Sequence, residues 1–317
     1  MPQSINPDNP DTLNNPAKPK ARSPWTVPFL VLALAIGGAM YRILVLHHLE
    51  QTSLLFVGIP VVLAFIVACT PRAGTVAGGV LKATALGLLL SGPLLGEGFI
   101  CILMAAPIFF AVAMAIVGLV CLISKMGKKS NKTIVSCVVV AGLVPMGLEG
   151  TRPGLSFNRE EVVTARRIVH ASPDAVKNTL SQSQRLDLQL PFFLRLGFPH
   201  PTEAHGTGLL PGDLRRVHFA GGEGHPGDLV LKVVDAGPGY ARFNVVSNET
   251  KVAHWLALES AEITWKAIDG DHTQVEWTLR YRRLLDPAWY FRPWERYAVT
   301  LAADYLIQTN AEPGSVK

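Results

Sequence analysis

The chain has 317 residues, 49% hydrophobic and only 17% charged, a balance too apolar for one ordinary soluble domain and a length sufficient for two units. Its net charge of +5 is unevenly placed: the chain from Thr151 onward is neutral, and before it ten Lys and Arg face five Asp and Glu. Basic residues beside apolar segments point to membrane topology, and with no basic, aromatic-interleaved patch no nucleic-acid partner is expected.

Residues 1–23 are rich in Pro and Asn, lack apolar periodicity, and are expected to form a disordered tail. Residues 24–148 read as a transmembrane region. Five segments approach the roughly 20 apolar residues that a spanning helix needs, at 25–46, 53–70, 76–95, 99–124 and 133–148. Trp25 is placed to anchor the first at the membrane interface. Lys82 interrupts the third and is expected to snorkel toward the nearer interface. The link Gly96-Glu97-Gly98 sets a carboxylate at a helix start, where Glu97 can meet free backbone N–H groups, a lipid head group or the following domain. All four cysteines lie in apolar segments and read as small hydrophobes.

With five spans, Lys18, Lys20 and Arg22, then Arg72, then Lys125, Lys128, Lys129 and Lys132 fall on one side. This pattern places the N-terminus in the cytoplasm and the C-terminal domain outside it, and the domain changes side if the third segment is only re-entrant or the fifth does not span. The expectation is a multi-pass inner (plasma) membrane protein with a periplasmic domain.

Residues 149–159 form a linker, 160–311 a domain of strands and turns, and 312–317 a short tail. Val162 to His170 alternates as a strand, and Ser172-Pro173-Asp174 then opens a helix with Ser172 as N-cap. A second short helix, broken by Pro191, is expected over 185–196, and a loop over 197–212. Strands follow at 214–220, 228–235, 240–247, 254–268 and 273–284, with Asp269-Gly270-Asp271 as a hairpin turn. In the last strand Val275, Trp277, Leu279 and Tyr281 share one face. Pro293 to Gln308 reads as a closing helix.

The segment IVHASPDAVKNTL, the meander containing AIDGDHTQVEWTLRY and the closing helix together resemble the START-like, helix-grip superfamily of polyketide cyclase, lipid-transfer and Bet v 1-like proteins. The resemblance implies an α+β domain in which a curved antiparallel sheet grips a long C-terminal helix across an apolar cavity. The whole fold class is thus an all-α membrane bundle followed by a helix-grip domain. Fold alone does not settle function.

On that reading, Trp265, Trp277 and Tyr281 from strands and Trp294, Tyr297, Leu301 and Tyr305 along the closing helix are candidates to line the cavity. Arg215 is the strand arginine placed to meet a carboxylate or phosphate head group. Trp289, Tyr290 and Arg292, with Trp25 and Glu97, are candidates for the membrane interface. The expected partners are membrane lipids, a hydrophobic small-molecule ligand and a membrane protein partner.

No metal site, cofactor or catalytic set is legible. The sequence lacks HExxH, GxSxG, a P-loop and a dinucleotide fingerprint, and its domain lacks Cys. The function expected is a membrane-anchored domain that binds a lipid-like ligand for transfer or sensing. The alternatives are a non-catalytic interaction module that docks on a membrane partner and a cyclase- or hydrolase-type enzyme using Glu259, Glu262, His218 or Arg215.

Overall fold

The structure is a computed structural model that describes residues 26–41, 59–71, 73–95, 99–125, 148–183, 186, 188–221 and 226–311. Four helices precede the domain: α1 (Thr26–Tyr41), α2 (Ile59–Cys69), α3 (Val76–Leu95) and α4 (Phe99–Lys125). The domain follows as β1 (Glu160–Val169), α5 (Pro173–Ser181), β2 (His200–His205), β3 (Leu214–Ala220), β4 (Gly227–Gly237), β5 (Tyr240–Asn248), β6 (Leu256–Ala267), β7 (Thr273–Arg283) and α6 (Ala288–Asn310).

The domain's strands form one antiparallel sheet in the order β1-β7-β6-β5-β4-β3-β2. First and last strands are paired, so the chain closes on itself before α6 crosses the inner face. Register shifts interrupt β4 at Val230/Leu231 and Val233/Asp235, and β6 at Leu258/Ser260. Such bulges bend a strand and raise its twist, which lets the sheet follow the helix it packs against. Alternation fills the inner face: Val163, Ala165, Val233, Ala241, Phe243, Ala261, Ile263 and Val275 meet Val176 and Leu180 of α5 and Val299, Ala303 and Ile307 of α6. This is the helix-grip arrangement.

Local chemistry explains the helix starts. Ser172 accepts a hydrogen bond from the Ala175 amide at 3.3 Å, with Pro173 in the first turn. Helix α6 begins at Ala288, five residues before the expected start at Pro293. Its N-cap is Pro287, which has no capping side chain. The linker supplies one instead: both Glu149 carboxylate oxygens accept from the Ala288 amide, at 3.0 and 3.1 Å. Gly150, at φ 83°, lets the linker pass close beside the Asp286 carboxylate, where a Cβ would collide.

Two expectations for the domain's middle are corrected. The stretch 185–196 holds only a 3-10 turn at Phe192–Arg195 among its described residues, because Pro191 removes a donor and fixes its own φ. The expected loop over 197–212 contains β2, an edge strand paired with β3, with a bulge between Pro201 and Glu203. Pro201 and the bulge hide the period-2 alternation that would mark a strand in sequence.

In the N-terminal region, α1 packs on α2 and α3, and α3 on α2 and α4. Ala64 and Ala68 are buried against Val31, Leu86, Leu89 and Leu90; small side chains let helices approach closely in an apolar medium. Lys82 donates to the carbonyls of Thr70 (2.8 Å) and Ala68 (3.4 Å). It thus caps the C-terminal end of α2, where a cation is favourable. The five expected spans are reduced in the structure. Among the described residues one helix, Ile100–Leu119 within α4, is long and apolar enough to cross a membrane, and Val76–Gly92 is shorter. Helices α1 and α2 have 16 and 11 residues. The segment 133–147, the Gly96–Gly98 link with Glu97, Trp25 and the N-terminal tail lie outside the described residues.

Helix α6 is tied to β1 near both ends. Glu161 faces inward, nearly fully buried, and pairs with Arg292 at 2.6 Å and Arg296 at 2.7 Å. Farther along, Arg167 grips Asp304 through two bonds of 3.2 and 3.1 Å. The Arg167–Asp304 pair is about a third exposed on each side, so its loss is expected to cost under about 1 kcal/mol. Replacing both Arg292 and Arg296 with Ala strands the buried Glu161 charge and is expected to cost about 3–5 kcal/mol. Denaturant unfolding of Asp304→Ala and the double variant checks the contrast; equal losses would refute it.

Candidate functional site: an apolar cavity with a polar floor

Between α6 and the concave face of the sheet lies a cavity of about 1120 Å³. Its inner wall is made by Trp277, Leu279 and Tyr281 of β7 with Leu256, Leu258 and Ala261 of β6. Phe291, Trp294, Ala298, Val299, Ala302, Tyr305 and Leu306 of α6 form the opposite wall. Leu190, Leu194 and Phe198 close one side, and Phe198 meets Trp255 edge-on at 5.6 Å. The remaining wall comes from the preceding helices: Thr84, Leu88 and Ser91 of α3, and Ile100, Ile102, Ala105 and Phe109 of α4. Domain and helices therefore share one apolar space.

The contact between them is specific. The Tyr290 hydroxyl, in the first turn of α6, donates to the Met104 carbonyl of α4. Pro107 stands in that stretch of α4 and leaves the carbonyl four residues before it without its helical donor.

The lining carries polar residues at Thr84 and Ser91, around Asn248, Lys251 and His254, and at Tyr281 and Glu295. Tyr281 is fully buried and Glu295 is 5% exposed. No well-formed hydrogen bond reaches the Tyr281 hydroxyl, either Glu295 carboxylate oxygen or the Trp277 indole N–H. Burial pushes Glu295 up to about 8, against the pull of Arg283 and the Leu285 amide, with Glu161 and Asp286 adding to the rise. Burial also pushes Tyr281 upward, helped by the charges of Glu295 and Glu161. At neutral pH both groups are protonated and can donate.

The candidate residues are distributed as follows. Trp277, Tyr281, Trp294 and Tyr305 line the cavity, and the Tyr305 hydroxyl donates to the Leu188 carbonyl at 2.9 Å. Trp265 is packed in the core, 4% exposed and away from the cavity. Tyr297 is 52% exposed and meets Phe193 edge-on at 5.1 Å, while Leu301 is half-buried outside the lining. The stripe of α6 that faces the cavity is 291, 294, 295, 298, 299, 302, 305 and 306, so the helix is turned from the stripe 294, 297, 301 and 305 expected from its large apolar residues. Large side chains drew that expectation; the small Ala298 and Ala302 are what leave room.

Arg215 is structural. It is buried and donates to the carbonyls of Leu180, Gln182 and Gly208, which holds the C-terminal end of α5. Burial lowers its affinity for a proton, with Asp213 opposing. Of the interface candidates, Trp289 is 56% exposed, Tyr290 contacts α4, and Arg292 pairs with Glu161.

The groups considered for enzymatic chemistry do not converge. Glu262 pairs with Arg242 at 3.1 Å, His218 with Asp228 at 2.6 Å, and Glu259 is exposed. No His/Cys/Asp/Glu cluster able to hold a metal occurs among the described residues.

Sequence reasoning missed Glu161, Arg283 and Glu295. Strand parity carried the signal for two. Arg283 continues the inward series 275, 277, 279 and 281, and Glu161 precedes the inward Val163 and Ala165.

No protein-family model and no curated protein matches the chain. Among solved structures it is similar to a START superfamily protein from Mycobacterium smegmatis, at 13% identity and TM-score 0.33, covering 47% of this chain and 92% of that one. It is also similar to an aromatase/cyclase from Streptomyces sp. R1128, at 14% identity and TM-score 0.32, covering 48% and 90%. A third is norcoclaurine synthase from Thalictrum flavum, at 14% identity and TM-score 0.31, covering 47% and 85%. At such scores the helix-grip architecture rests on this chain's own sheet and helix.

Two outcomes are expected. Folding raises the Glu295 pKa above its unfolded value, so its neutral form stabilises the fold fully below the ordinary carboxylate range. That contribution is lost as pH rises through about 8. Wild type is therefore expected to lose stability relative to Glu295→Gln between about pH 4.5 and pH 8, read by thermal unfolding across that range; a constant difference would refute it. Arg215→Met leaves three carbonyls without their donor and is expected to lower stability by about 2–4 kcal/mol. Ligand binding by the folded variant should be unchanged.

Proposed function

We propose that the protein is a membrane-embedded binder that takes a lipid-like ligand from the bilayer into its helix-grip cavity, for transfer or sensing. The observation that carries this reading is the shared cavity, whose walls come from both the domain and helices α3 and α4. A volume of about 1120 Å³ exceeds the roughly 300 Å³ at the lower end of ligand sites. The interaction-module alternative would be favoured by a solid core.

Membrane embedding is supported by the helices' outer faces. Phe29, Leu30, Val62, Ile66 and Leu122 are all at least half exposed, and a run of apolar side chains so exposed needs an apolar surrounding. Sidedness has support as well. The cavity is lined by residues from Thr84 to Ser91 of α3 and from Ile100 to Phe109 of α4, so the domain sits toward the end where α3 leads into α4. Helix α4 ends at Lys125, where the basic run of the sequence begins. On the positive-inside rule that end is cytoplasmic and the domain lies on the opposite face.

The test is native mass spectrometry of the full chain released from detergent micelles after exposure to a lipid extract of its host membrane. A bound apolar mass is expected on wild type. In Ala298→Trp/Ala302→Trp, which fills the gap between α6 and β7, occupancy should fall about tenfold or more with circular dichroism unchanged. A wild-type chain that stays apo would overturn the proposal.

A further inference from the structure

Charge is scarce on the cavity wall, and what a ligand can reach of it is gathered at one edge. Among the described residues that line the cavity, Lys251 is the one Lys or Arg and Glu295 the one Asp or Glu, and His200 and His254 stand with Lys251. Both Glu295 oxygens are enclosed, whereas Lys251 and His200 are half-buried and His254 is exposed. The accessible charge of the lining is therefore basic.

Three parts of the fold bring this edge together. His200 opens β2, Asn248 closes β5, and the 3-10 turn Lys251–His254 follows after two residues. Ala241 and Phe243 of β5 are buried, and strict alternation from them would turn Asn248 outward. The ladder with β4 steps from Leu231–Val245 to Val230–Ser247, so Val246 is an extra residue and reverses the parity. Asn248 then stands opposite Leu229 and lines the cavity with it. Its Oδ1 accepts from the Thr250 N–H at 3.2 Å and from the Thr250 hydroxyl at 2.7 Å, which leaves the amide nitrogen as the free end. Among the described residues neither that nitrogen nor Lys251 Nζ has a hydrogen-bond or ion-pair partner, and neither is enclosed. The neighbouring carboxylates do not answer this charge. Asp228 is held by His218 at 2.6 Å and Arg216 at 3.9 Å, and Glu249 is exposed and outside the lining.

A half-buried ammonium beside an apolar wall, with an amide and imidazoles around it, favours an anion, because charge-assisted hydrogen bonds are roughly twice as strong as neutral ones. The Leu284 amide donates to the Trp255 carbonyl at 3.1 Å, so the turn sits at the end of the domain where α6 starts and Tyr290 meets α4. We infer that Lys251 and Asn248, with His200 and His254 beside them, hold the anionic head group of an amphiphile, a carboxylate or a phosphate, at that end of the cavity, while its apolar chain runs between α6 and the sheet. This deepens the ligand-binding reading of the cavity and rests on it.

The test is native mass spectrometry of the full chain in non-ionic detergent, with each anionic probe in equimolar competition with its neutral counterpart: hexadecanoate against hexadecanol, and dihexadecanoyl phosphatidate against dihexadecanoylglycerol. Wild type is expected to take one of the anions about tenfold better than its counterpart. A preference for hexadecanoate identifies a free fatty carboxylate as the ligand class, and a preference for the phosphatidate identifies a membrane phospholipid. Lys251→Met, which keeps an unbranched stem without the charge, should remove the preference and leave binding of the neutral probe unchanged; Lys251→Arg should retain it. Asn248→Asp keeps an oxygen for Thr250 while adding a negative charge, and should weaken the anion about tenfold. No preference for either anion on wild type, or a preference that survives either Lys251→Met or Asn248→Asp, overturns this inference and leaves the cavity reading standing. Failure of every probe to bind wild type overturns the cavity reading and this inference together.

Discussion

A guanidinium with no exposed surface, that of Arg283, fixes how the parts of this chain meet. A buried charge is tolerated only where partners surround it. Here they come from three places: the Leu285 carbonyl and the Asp286 carboxylate after β7, and Glu149 from the linker. Arg159 joins the same group through Asp286. Glu149 also caps the amide of Ala288. The linker that follows the last apolar segment is therefore bound to the strand that floors the cavity and to the helix that roofs it. The domain is held to the preceding region at the start of the helix it grips.

Ion pairs and enclosed polar atoms both border the cavity. Around Arg283 and Glu161 the charges are paired, while Glu161 Oε1, Arg283 Nε and Arg283 Nη2 lack a well-formed hydrogen bond. Enclosed polar atoms of Trp277, Tyr281 and Glu295, residues of the cavity wall, also lack a well-formed hydrogen bond. A core selected for stability alone would close such a gap, since unfilled volume and unsatisfied polar atoms both cost free energy. Ala298 and Ala302 keep α6 clear of the sheet where large side chains would have filled the interior. The Tyr290–Met104 contact then brings α4 against the cavity, and the apolar wall runs from the domain onto that helix.

Much of the domain can be read from residue order alone. The Ser172-Pro173 start, the Asp269-Gly270-Asp271 turn and the alternation through β7 are local signals, governed by backbone geometry and by period-2 burial, and each appears where residue order places it. Strand β2 is not legible in this way because Pro201 and a bulge disrupt its alternation. The start of α6 is not legible because its cap comes from Glu149, which lies 139 residues away. Arg215 stands in a strand with no local mark to separate a ligand contact from a staple. Only the distant ends of α5 and of the loop at Gly208 make it the latter.

Residue order by itself determined the division into an apolar half and a strand-rich half, the succession of elements in the domain and the inward face of its last strand. These follow from composition and periodicity, which act over a few residues. Tertiary structure decided the rotation of α6 about its axis, the space that Ala298 and Ala302 leave open, and the meeting of Glu295 with Tyr281 beside that space. It also decided that helices α3 and α4 complete the wall. Such features depend on packing between segments far apart in the chain, and no local period records how two surfaces will fit or where they will fail to fill the volume between them.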